Sequence, residues 1–115
     1  MLPARLPKKP KRASRWRSQA HCNFVRGHAC SKCGSTAAIE VAHVRLGSSA
    51  GIGQKPDDWM TVSLCGGPAG CHARQHREGE QTFWRGFPLA DLIEAFVKAS
   101  PKRHEIEQIR RERAA

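Results

Sequence analysis

Four of the five cysteines fall into two pairs, "CSKCG" at residues 30–34 and "CGGPAGC" at residues 65–71, and they constrain the fold more than any other feature. In a C-x-x-C-G knuckle two thiolates grip one ion while the glycine lets the backbone turn, so that amides point at sulfur. A tetrahedral four-cysteine site needs two such pairs, and one ion shared by Cys30, Cys33, Cys65 and Cys71 forces the chain between them to return on itself. The second pair is stretched to five intervening residues, but three of these are glycines, which make the bend physically easy. Cys22 or His28 can substitute for one ligand, and four reduced spectator thiols are the plain alternative. A structural zinc is the expectation. At 115 residues the chain forms one small domain plus tails, a size at which a modest core gains from such a staple.

The odd cysteine count favours metal over disulfides, and no apolar leader or membrane-length apolar run is present, so a cytoplasmic chain without a membrane partner is expected. Lys and Arg total 20 against 10 Asp and Glu, a formal charge of +10 that attracts polyanions. Nine of the basic residues precede the first acidic one, Glu40.

Residues 1–17 combine three prolines with seven basic residues and read as a disordered basic arm. A serine N-cap at Ser18 and a stop at Gly27 bracket a short helix with Ala20, Phe24 and Val25 on one face. "AAIEVAHVRL", residues 37–46, reads as a strand, followed by a long polar loop and a second short strand "MTVSLC", residues 60–65, so the two can pair as a hairpin. "CHARQHRE" then runs without a breaker to Gly79 and predicts a helix. Leu89, Leu92, Ile93, Phe96 and Val97 recur at helical spacing and predict a core-packing helix over residues 88–99. Residues 101–115 read as a charged, solvated helical tail. The expected fold class is α+β, with the domain spanning residues 18–100.

His72 and His76 stand four apart, which on a helix places both imidazoles on one face within reach of a single divalent ion. Surface helices carry such pairs by chance. Their position directly after Cys71, and a third histidine, His43, on the first strand, raise the reading above chance. A neutral imidazole near a phosphate-binding metal is placed to take a proton from water.

The order of C-x-x-C, strand histidine, glycine-rich loop, "SLC…CH" and a further histidine four residues on resembles the HNH endonucleases with a ββα-metal (His-Me finger) core. It is most similar to small phage- or prophage-encoded members with "AHVR" strands and a four-cysteine zinc, over residues 30–77. The resemblance implies hydrolysis of DNA phosphodiesters, with His43 as general base and His72 and His76 as ligands of a catalytic Mg, Mn, Ni or Zn ion. It implies location in a bacterial or phage-infected cytoplasm, and DNA as the partner. Arg45, Lys55, Arg74 and Arg77 are candidate phosphate contacts, with ordinary surface charge as the alternative for each.

Two positions depart from the family pattern. Ala42 stands where an acidic or histidine ligand precedes the base, and Met60 stands at the central asparagine. Glu40 is a candidate replacement ligand, as are Asp57 and Asp58. A zinc-stabilised DNA-binding module without catalysis is the alternative function.

Overall fold

The computed structural model describes residues 1–7, 15–48 and 54–115. In chain order the elements are α1 (Gln19–Arg26), β1 (Ile39–His43), β2 (Thr61–Cys65), α2 (Cys71–Glu78), α3 (Glu80–Phe83), α4 (Leu89–Ala99) and α5 (Arg103–Ala114). The class is α+β, and β1 and β2 form a two-stranded antiparallel sheet in which Ala42 faces Val62 and His43 faces Thr61. The basic residues 8–14 and part of the polar loop, residues 49–53, lie outside the described residues. Among the described residues no helix is long and apolar enough to cross a membrane.

Strand alternation sends successive residues of the sheet to opposite faces. Ala42, Val44, Val62 and Leu64 are fully buried and join Phe83, Trp84, Ile93 and Phe96 in the main core. Val41 and His43 fall on the opposite face, which keeps the histidine out of the apolar packing. Helix α4 forms as its periodicity predicts, burying Ile93, Phe96 and Val97. Helix α3 is not evident from the sequence, because Gly79, at φ 85°, ends α2 and the chain immediately turns helical again for only four residues.

The N-terminal boundary differs from the expectation. Residues 1–7 carry no regular structure and are exposed, but Trp16 is buried against Trp59, Val97 and Ile106 in a second core. Its backbone N–H donates to Asp57 Oδ1 at 2.7 Å, and its carbonyl accepts from the Asp58 N–H at 3.0 Å. The domain therefore begins before Ser18. It also extends past residue 100, since Ile106 of α5 is fully buried and Arg113 donates to Asp57 Oδ2 at 2.9 Å. One buried isoleucine among charges is too sparse a stripe to mark α5 as a packing helix in the sequence.

Ser18 caps α1 as expected, accepting from the His21 N–H at 3.1 Å. The buried face is His21 and Val25, with Phe24 half-buried and Ala20 exposed. His21 turns inward because Trp16 lies edge-on to its ring at 5.8 Å and Ser100 Oγ sits 2.7 Å from its Nδ1. The ring thereby ties α1 to the end of α4, while its Nε2 is buried with no hydrogen-bond partner among the described residues.

Burial holds the His21 imidazole below its ordinary pKa, the Asp58 charge opposing this and the Arg110 charge adding to it. As pH falls below about 6.5 the unfolded chain takes up this proton before the folded one does, so His21 contributes full stability above that pH and loses it below. Urea denaturation midpoints are expected to fall between about pH 7.5 and about pH 5.5, and to fall less in His21→Gln. The remainder of the fall belongs in part to His43, whose imidazole burial also holds low. An unchanged slope in the variant counts against the assignment.

Candidate functional site

Cys30 and Cys33 lie in the turn after α1, Cys65 ends β2 and Cys71 opens α2, and their sulfurs all lie within 4.8 Å of one another. All are free thiols. The Cys33 and Cys65 sulfurs are 3.7 Å apart, too far for a disulfide. They match the edge of a tetrahedron with metal–sulfur bonds of about 2.3 Å, which is about 3.8 Å. The knuckle closes with Gly34 at φ 79°, a conformation open to glycine, and with a 2.9 Å bond from its N–H to the Cys30 carbonyl. The stretched spacer folds tightly back on itself, so that a Cβ at Gly70 would fall 2.2 Å from the Gly66 carbonyl oxygen. That close approach lets five residues serve where two are usual.

Burial by itself raises the Cys30 thiol, but backbone N–H groups of Cys33, Cys65 and Lys32 outweigh it and bring the thiol down to about 6. Burial and the neighbouring sulfurs push Cys71 up. Four sulfurs this close cannot all ionise beside one another without a cation, and a soft divalent ion such as zinc suits the set. Neither alternative ligand joins it. Cys22 faces Asp58 and is pushed up to about 11, chiefly by burial. His28 Nδ1 lies 2.8 Å from the Phe24 carbonyl, and its ring packs edge-on against Phe24 and Phe96.

On the other side of α2's first turn, a cleft of about 660 Å³ is lined by His43 and Arg45 from β1 and its extension, by Lys55, by His72, Gln75 and His76 of α2, and by Glu80. The His72 and His76 rings are 4.9 Å apart, tilted by 37°. Glu40 Oε1 lies 3.1 Å from His72 Nδ1. A carboxylate on one imidazole nitrogen leaves the other nitrogen's lone pair available to a metal, so Glu40 is placed to orient His72 and not to stand beside it as a further donor. Among the described residues the four cysteines are the one gathered group of three or more potential metal-ligating side chains, so Glu40, His72 and His76 do not form a ready three-donor set.

His43 Nε2 lies 2.9 Å from Oδ1 of Asp58, which is buried. Burial lowers the His43 pKa, with the Asp58 hydrogen bond opposing. For Asp58 burial acts upward, but the bonds from His43 and the Ser18 N–H and the Arg17 charge prevail, and its pKa is lowered. Neither loop aspartate joins His72 and His76: Asp57 holds Trp16 and Arg113, and Asp58 holds His43.

Of the four candidate phosphate contacts, Arg45 and Lys55 line the cleft. Arg74 and Arg77 are not among its lining residues. Arg74 pairs with Glu78 at 3.0 Å and lies over the Phe83 ring, and Arg77 reaches the Pro68 carbonyl. On a helix that carries His72, Gln75 and His76 along one face, residues 74 and 77 project elsewhere. Two lining residues with hydrogen-bonding side chains, Gln75 and Glu80, escaped the sequence reading. Glu80 accepts from the backbone N–H groups of Arg45, at 2.7 and 3.0 Å, and Leu46, at 3.1 Å, which fixes the end of β1 against α3. Gln75 is buried, and its Oε1 accepts from Trp84 Nε1 at 2.7 Å. No periodic signal marks either residue.

Comparison of the chain with protein-family models, with curated proteins and with solved structures returned no match.

Purified protein is expected to carry a single tightly held zinc ion per chain by elemental analysis. Cys30→Ser should lose it and lower the thermal midpoint by roughly 10 °C or more, the shift that a loss of about 2 kcal/mol brings in a domain of this size. Equal metal content and midpoint in the variant would remove the site.

Proposed function

We propose that the chain is a divalent-metal-dependent endonuclease that hydrolyses DNA phosphodiesters, built on an HNH-type ββα core whose four cysteines hold a structural zinc. The observation that carries this reading is the meeting of His43 from β1 with His72 and His76 from α2 in one cleft that Arg45 and Lys55 also line. A base, two imidazole ligands and two cations around one concavity are the parts that phosphodiester hydrolysis requires.

A divalent ion held by His72 and His76 supplies, when bound, the positive charge that stabilises the phosphate and its leaving oxygen. His43, kept neutral by burial, accepts the proton of the attacking water. Glu40 orients His72. Arg45 and Lys55 bind phosphates beside the scissile one, and the +10 charge adds non-specific affinity. The walls of the cleft come from a hairpin and a helix that the cysteine cluster joins, through Cys65 at the end of β2 and Cys71 at the start of α2. The binding-only alternative rests on Ala42, which is fully buried in the core and provides no ligand beside His43.

With supercoiled plasmid and Mg, Mn, Ni or Zn, the wild type is expected to nick or linearise DNA, and His43→Ala to cut on the order of a hundredfold to ten-thousandfold more slowly while binding DNA equally. Equal cutting by both, or none with any metal, would leave the binding-only reading. Lys55→Ala is expected to reduce the dependence of log affinity on log salt by about 0.9, the contribution of one phosphate. An unchanged salt slope would place Lys55 outside the contact.

A further inference from the structure

The reading of His43 as a base does not say which ring nitrogen does the work, and Asp58 decides this. Asp58 is 6% exposed, yet it is saturated with donors. Its Oδ2 accepts from the Ser18 backbone N–H at 2.8 Å, and its Oδ1 lies 3.3 Å from Arg17 Nη1 and 2.9 Å from His43 Nε2. A backbone donor cannot rotate away, so the carboxylate plane is locked at one oxygen while the other meets the imidazole. Its low pKa makes Asp58 an acceptor near neutral pH, and an ionised carboxylate has no proton to give. Nε2 must then be the nitrogen that donates. A neutral imidazole has one protonated nitrogen, so the lone pair falls on Nδ1.

Resting on the proposed nuclease function, we propose that Asp58 is the positioning residue for His43, holding the Nε2–H tautomer so that Nδ1 is the nitrogen that takes the proton from water. In the step, water gives a proton to Nδ1 and its oxygen bonds to phosphorus as the bond from phosphorus to the 3′ oxygen breaks. The 3′ oxygen takes a proton from solvent, and the imidazolium later returns its own to solvent. While the imidazolium lasts, the Asp58 charge 2.9 Å from Nε2 stabilises it. The arrangement also explains why the chain entering α1 is tied down: Arg17 and Ser18 complete the shell around the carboxylate that aims the base.

The test is a long-range proton–nitrogen correlation spectrum of the imidazoles in the full chain near neutral pH, with the His43 signals assigned by their loss in His43→Ala. The wild type is expected to show His43 protonated at Nε2. A proton on Nδ1, or an even exchange between nitrogens, overturns the proposal. In Asp58→Asn the Ser18 N–H retains the amide oxygen and turns the amide N–H toward His43, so the proton is expected to move to Nδ1. Plasmid cleavage by this variant should fall on the order of a hundredfold, with DNA affinity kept within about twofold. An unaltered tautomer and rate in the variant also overturn the proposal. If Asp58→Asn does not fold, the wild-type spectrum decides alone. If the wild type cuts no DNA with any metal, the nuclease reading fails, while the spectrum still decides whether Asp58 sets the tautomer.

Discussion

The gathering of four sulfurs within 4.8 Å is the contact on which the rest of this molecule depends. It joins the turn after α1, the end of β2 and the first residue of α2, where Cys30 and Cys71 also enter the main core and Cys65 packs against it. A two-stranded hairpin is marginal in isolation, and a helix of eight residues is too. Locked together at one corner, each becomes a wall for the other. The direction of α2 relative to β1 is then set by the cluster, and with it the approach of His72 and His76 to His43.

A second constraint works from the opposite end of β1. The Asp57 and Asp58 pair is buried, and two acids leave water only when they are supplied with donors. The backbone of Trp16 and Ser18, the guanidinium groups of Arg17 and Arg113 and the His43 ring supply them. These bonds draw the N-terminal segment and α5 onto the hairpin, and Trp16, Trp59 and Ile106 close the small second core over them. The cleft lies between the cysteine cluster and the aspartate pair, each of which holds one side of it.

Much of this was legible locally. Metal-ligand spacing is a short-range property, so Cys30, Cys33, Cys65 and Cys71 announce themselves, and the period of Leu89, Leu92, Ile93, Phe96 and Val97 announces α4. The i, i+4 placement of His72 and His76 is also local, and they do share a face. What escaped is non-local. Trp16 read as part of an arm because its partners are distant: its indole donates to Glu105, 89 positions away. His21 was hidden for the same reason, since Ser100 lies 79 positions along the chain. Arg74 and Arg77 are candidate phosphate contacts from charge and proximity, and only helical geometry shows that they lie off the face lining the cleft.

By itself, then, the sequence determined four cysteines at the spacing a metal site needs, a hairpin followed by a helix, the basic character of the chain and the three histidines. These follow from spacing, periodicity and composition, which act over a few residues. Only the tertiary structure decided that Asp58 faces His43 and stands apart from His72 and His76, that Glu40 sits on His72, and that the segment before Ser18 belongs to the domain. A buried carboxylate takes whichever donors the folded chain brings to it, and those donors come from segments whose meeting no local pattern records.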